Sequence, residues 1–173
     1  NALSPHIQQA WHGLQPRGVV DLTAEVRYLP EQAKFSVGVR AEPQRDTASL
    51  EPAHFPYRLD RLQWVLLYQD AILTLQRAKA EHGAVKFAAD GRCEFQPDGR
   101  WRLQLEGLTI DRIRADRELT QALPERLKKV VATLNLGGAV NLRGNLALER
   151  TGRPNEPLRS AWDLRAGLHQ NSL

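Results

Sequence analysis

The side chains able to ligate a metal or act as nucleophiles are few and scattered: His6, His12, His54, His82, His169 and the single cysteine Cys93. His6 and His12 stand six apart, so on one helix they occupy different faces and miss the i, i+4 spacing of a zinc-binding pair. No HExxH, CxxC or Cys/His pair occurs, and no metal chemistry is expected. Cys93 has no histidine near it in sequence and alternates with Arg92 and Glu94, so it reads as a small buried hydrophobe. Gly137-Gly138 is not followed by Lys-Ser/Thr, which excludes a phosphate-binding loop, and no serine sits in a GxSxG context. Asp116, Glu118 and Glu125 lie where a helix begins, a position that favours acids through the helix dipole. Polar groups converge nowhere, and the expectation is a non-enzymatic protein with no catalytic residue, metal or cofactor.

The remaining chemistry is that of apolar surface, and alternation displays it. Val20, Leu22, Ala24, Val26 and Tyr28 alternate with Asp21, Thr23, Glu25 and Arg27, and Phe35, Val37 and Val39 continue the pattern. After a polar loop from Pro43 to Pro56, Leu62, Trp64, Leu66 and Tyr68 alternate, and Gln69-Asp70-Ala71 marks a turn. Ile72 to Ala80 reads as the return strand, although Gln76-Arg77-Ala78-Lys79-Ala80 also suits a helix. Val85, Phe87, Ala89, Gly91, Cys93 and Phe95 share one side, and Pro97-Asp98-Gly99 turns the chain into Trp101, Leu103 and Leu105. Asp90-Gly91-Arg92, inside a strand, marks a bulge or kink there. Further on, Val140, Leu142, Leu146 and Leu148 alternate, Arg150 to Pro157 is a loop, and Ala161-Trp162-Asp163-Leu164 opens another strand.

Two helices interrupt the strands. Ile7, Ala10, Trp11 and Leu14 form one stripe, and Leu127, Val130, Val131 and Leu134 form another, with Pro124 where a first-turn proline is tolerated. Asp116 caps a short helix from Arg117 to Ala122 just before it. Residues 1–28 also resemble residues 121–148 at a constant offset of 120, from Ala2-Leu3 on Ala122-Leu123 through Gly18 on Gly138 to Val20-Asp21-Leu22 on Val140-Asn141-Leu142. This predicts one helix-plus-sheet repeat over 1–120 and the start of the next over 121–173, or one continuous groove.

The fold class expected is mainly β: a curved antiparallel sheet with one apolar face, plus amphipathic helices at about 3–14 and 117–134. A sheet wet on one side is antiparallel, and its apolar side needs a cover: another sheet, helices, its own curl or an apolar ligand. At 173 residues with 42% hydrophobic and 25% charged residues the chain is an ordinary globular one. Its net charge of +4 is scattered singly, without the basic stripe and stacking aromatics of a nucleic-acid binder. No apolar run reaches the length of a membrane span, and the opening Asn1-Ala2-Leu3 reads as an excerpt of a longer protein.

Phe55-Pro56-Tyr57-Arg58-Leu59, Gln69-Asp70-Ala71 and His82-Gly83, each followed by a strand, resemble the repeats of AsmA-like and TamB-like proteins. Leu105-Glu106-Gly107-Leu108 and the segment from Asp116 to Pro124 are similar to large AsmA-like proteins, so the resemblance covers about residues 55–148. It implies an inner-membrane-anchored protein of the periplasm and cell envelope, with a long curled sheet whose apolar concave face moves phospholipid towards the outer membrane. Helices between the sheet segments depart from that pattern. Under this reading Trp64, Leu66, Val85, Phe87, Phe95, Trp101, Leu103, Leu105, Val140 and Leu142 line the groove. The partners are phospholipid acyl chains or neighbouring repeats, with self-association through edge strands. The alternative is a closed, sandwich-like interaction module of a large periplasmic or surface protein, in which the tryptophans pack a dry core.

Overall fold

The computed structural model describes residues 15–168, apart from 33, 45, 54, 124, 135–137 and 152–157. The expected helix at 3–14 therefore lies outside the described residues, as does most of the 150–157 loop. Eight strands follow one another: β1 (Val20–Leu29), β2 (Lys34–Pro43), β3 (Asp60–Gln69), β4 (Ile72–His82), β5 (Val85–Phe95), β6 (Trp101–Ile113), β7 (Val140–Arg150) and β8 (Arg159–Leu168). Each pairs antiparallel with the next in a single sheet, so spatial order equals chain order. The fold is mainly β, one open curved antiparallel sheet. At about 4.8 Å between strands its eight members span roughly 34 Å.

Turn chemistry sets the register. Asp70 and Ala71 both take positive φ (49° and 62°) between β3 and β4, the left-handed pair of a tight hairpin turn. Gly99 (φ 84°) closes the β5–β6 hairpin, where Gln96 N–H donates to the Arg100 carbonyl at 2.8 Å. Residues 76–80 are strand, not helix: Ala78 and Ala80 face Ala89 and Phe87 on β5, and that pairing overrides local helix propensity.

Bulges interrupt the ladders. Gln76-Arg77 on β4 oppose the single residue Asp90, Glu106-Gly107 on β6 oppose Asn145, and Asp111-Arg112 on β6 oppose Asn141. Arg77, Gly107 and Arg112 have φ of 52°, 57° and 59°, which turns their N–H groups out of the ladder. In each case the opposing side chain accepts that N–H through Oδ1, at 2.6 Å from Asp90, 3.2 Å from Asn145 and 2.8 Å from Asn141. The kink expected at Asp90-Gly91-Arg92 is thus displaced: the extra residue belongs to β4, and Asp90 is the acceptor that holds it. Bulges bend strands and increase twist, which is the physical source of the curvature.

Two helices lie between β6 and β7: α1 (Arg117–Ala122) and α2 (Glu125–Leu134). Asp116 caps α1, its carboxylate accepting from Leu119 N–H at 2.8 Å. Leu123 ends α1 in an extended conformation (φ −69°, ψ 142°), as the residue before Pro124 must. Of the second helical stripe, the side chains of Leu127, Val130 and Leu134 lie outside the described residues. β1 and β7 begin at Val20 and Val140, the offset of 120 read from the sequence, but in different surroundings. β1 is an edge whose side chains from Asp21 to Tyr28 are all exposed, whereas β7 is interior with Val140 buried. Positions 120 and 121 fall within α1, and the strands on either side, β6 and β7, pair directly.

Candidate functional site

Pairing fixes which side chains share a face, because residues directly opposite across a ladder point the same way. One row crosses all eight strands: Leu22, Ala41, Leu66, Leu75, Gly91, Leu105, Leu146 and Trp162, each opposite the next. A parallel row runs Ala24, Val39, Tyr68, Leu73, Cys93, Leu103, Leu148. The bulges add residues without reversing the alternation, so Trp64, Leu66, Val85, Phe87, Phe95, Trp101, Leu103, Leu105, Val140 and Leu142 all lie on this one face. The opposite face carries the charges: Glu25–Arg27 and Arg40–Glu42 along strands, Arg102–Glu149 and Arg143–Asp111 across them. β3 breaks the rule, with Val65 buried and Leu67 half-buried on the charged side.

The apolar face has two unlike ends. Over one end, where β3 starts, β4 finishes and β5 starts, the 48–59 segment and α1 form a cap. Tyr57 is 0% exposed and packs with Leu119, Ala122, Phe55, Leu59, Phe87 and Ile113. Ala48, Leu62 and Ala80 make the adjoining cluster, joined by Leu50, Trp64 and Phe87. Ser49 bridges to Arg17 and Leu50 to Leu59, which pins the segment down. The His82 ring lies 4.0 Å from the Tyr57 ring, centroid to centroid. Its Nδ1 is 2.7 Å from the Arg58 carbonyl and its Nε2 is 3.2 Å from Glu118 on α1. His82 therefore ties strand, loop and helix together.

Burial pushes the Tyr57 hydroxyl up to about 12, with the charges of Asp116 and Glu118 adding to it. That hydroxyl is buried and has no hydrogen-bond partner among the described residues. Burial also pushes the Cys93 thiol up to about 11, with a contribution from Glu94, so at neutral pH it is a thiol packed between Leu73 and Leu103.

At the other end the face is open. Phe95 and Trp101 are only half-buried, as are Leu66, Leu103 and Leu105 in the middle. Towards the flanks, Leu22, Val26, Tyr28, Phe35 and Trp162 are 55–66% exposed. Of the ten lining candidates, Val85 and Val140 are buried near the cap, Trp64 and Phe87 pack into it, and the other six are half-buried along the face. Sequence reasoning missed the cap residues Tyr57, His82 and Glu118 as a unit. Their one signal was aromatic: Phe55 and Tyr57 in an otherwise polar loop.

Among the described residues no group of three His, Cys, Asp or Glu side chains converges as a metal site. A comparison with protein-family models, with curated proteins and with solved structures finds no match to the chain.

Proposed function

We propose that this chain is a non-enzymatic segment of a bacterial envelope protein of the AsmA-like and TamB-like kind, and that its apolar sheet face shields phospholipid acyl chains. One observation carries the reading: an apolar row crosses all eight strands while, among the described residues, the half of that face away from the cap is only half-buried and its flanking large side chains are exposed. Soluble monomers rarely leave contiguous apolar area of this kind uncovered. The face offers alkyl and aromatic surface without a set of polar ligands, which suits hydrocarbon chains held by area alone, at about 0.8 kcal/mol per buried methylene. The cap closes one end with Tyr57 and α1, so hydrocarbon lies along the open half lined by Phe95, Trp101, Leu103 and Leu105. The resemblance of residues 55–148 is what supports a periplasmic setting for the whole protein, anchored in the inner membrane.

The test is Leu103→Glu, at the middle of the open half. Protein purified from a bacterial host is extracted and its lipid measured by mass spectrometry, alongside thermal melting. The groove reading expects phospholipid on the native chain, none on the variant, and melting within a few degrees of native. A closed, dry sandwich would bury the new carboxylate unpaired at a cost of several kcal/mol. A lipid-free native protein, or a variant that fails to fold, overturns the proposal.

A further inference from the structure

The sheet ends on two strands whose outer edges no other strand pairs among the described residues, β1 and β8. Each is ten residues long and continuous, a template of unpaired backbone groups. Because the meander has eight strands, β1 and β8 run in opposite directions. A second copy displaced along the sheet, in the same orientation, therefore sets its β1 antiparallel to the first copy's β8. This is the relation that every neighbouring pair in the molecule already has, and it keeps the apolar faces on one side.

Side chains select the register. Offsets of one residue set apolar against polar faces, so only even shifts are open. One of them places Ala24, Val26 and Tyr28 opposite Ala166, Leu164 and Trp162 on the apolar side. On the polar side it places Glu25 opposite Arg165 and Arg27 opposite Asp163. Sliding by two residues one way sets Glu25 against Asp163, and sliding the other way sets Arg27 against Arg165, like charges in both cases. The aromatic pair brings together two rings that are 55% and 58% exposed in the isolated chain. The turn at Pro30 ends β1 just beyond Leu29, so among the described residues the ladder pairs 22–29 with 161–168.

We propose that copies of this chain join edge to edge, β1 of one pairing with β8 of the next in the register that sets Tyr28 opposite Trp162, Glu25 opposite Arg165 and Arg27 opposite Asp163. The contact is heterologous, so it leaves a free β1 and a free β8 at the ends and builds an open series of oligomers rather than a closed dimer. The inference goes beyond the lipid reading and stands without it, since the edges need no ligand.

The test uses delipidated full chain. Sedimentation should show a mass that rises with concentration through dimer and trimer. Arg165→Glu, which meets Glu25 with a like charge, should weaken association at least tenfold, and the double change Glu25→Lys with Arg165→Glu should restore it. Melting curves of each variant confirm that folding is intact. Mild oxidation of an equimolar mixture of Val26→Cys and Leu164→Cys chains should yield mixed disulfide dimers, since directly opposed residues meet disulfide geometry. A strict monomer at high concentration, a mixture dominated by like-with-like dimers, or failure of the charge exchange to rescue would overturn the proposal. Lipid bound to a strictly monomeric chain would overturn it while leaving the acyl-chain reading intact.

Discussion

At Tyr57 two opposing demands meet. Its ring fills the centre of the cap with no exposed surface, yet its hydroxyl is buried without a partner among the described residues. An unsatisfied buried hydroxyl costs about 1–3 kcal/mol, whereas the ring earns its place by area and by contacts with His82 and Phe87. Tyr57→Phe keeps the ring and removes the orphan, so stability in denaturant melts should not fall. A loss above about 1 kcal/mol would mean that the hydroxyl has found a partner. The same group sets an alkaline limit. Its folded value of about 12 exceeds the ordinary 10.0, so its contribution is complete below pH 10 and is lost as pH rises towards 12. Native protein should lose up to roughly 2–3 kcal/mol across that window relative to Tyr57→Phe, read from unfolding midpoints at stepped pH. None of this was legible from the sequence, where Tyr57 is one aromatic in a polar loop and His82 one histidine among five. A cap built from segments more than 60 residues apart, such as 57 and 119, leaves no local period to find.

Elements were far more legible. Alternation in 20–28, 62–68, 85–95 and 140–148, broken in the second by Val65 and Leu67, gave the strands and their common face, because a period of two maps directly onto the two sides of a sheet. The bulges were only hinted at, since an extra residue shows in one strand while its cause sits in the next. Asp90, Asn141 and Asn145 are poor strand formers that earn their positions by accepting the freed N–H groups of Arg77, Arg112 and Gly107. Asn145→Ala and Asp90→Ala should therefore each destabilise by about 1–2 kcal/mol despite raising local strand propensity, with Asp90 the larger because its carboxylate is charged. Equal or greater stability in either variant would remove the acceptor role. Gly144 is the stricter position. Its φ is 155°, and a Cβ there would sit 1.9 Å from the Asp163 carbonyl oxygen of β8. Gly144→Ala should cost about 1–3 kcal/mol and act first on the β7–β8 ladder, visible as faster amide exchange across 159–168 than elsewhere.

Across the whole molecule, stability is graded from the cap outward. Buried side chains concentrate around Tyr57, Leu62, Ala80 and Val85, while those of β1 from Asp21 to Tyr28 are all exposed, so amides of β1 should exchange soonest and those of β4 and β5 last in dilute, delipidated protein. Uniform protection would contradict the grading. The polar side of the sheet carries ion pairs of two kinds, some across neighbouring strands and some within a single strand. Glu25 with Arg27, Arg40 with Glu42, and Arg92 with Glu94 are two residues apart, the spacing that puts both side chains on one face of one strand. Exposed as they are, such pairs add little to stability. Their effect is on modularity: a strand that balances its own charge can be gained, lost or duplicated within a hairpin without leaving an unmatched ion on its neighbour. The sheet can thus change length in evolution at its β1–β2 edge while its wet surface keeps the same electrical character, whereas loss of β7 would strip Arg102 and Asp111 of their partners Glu149 and Arg143.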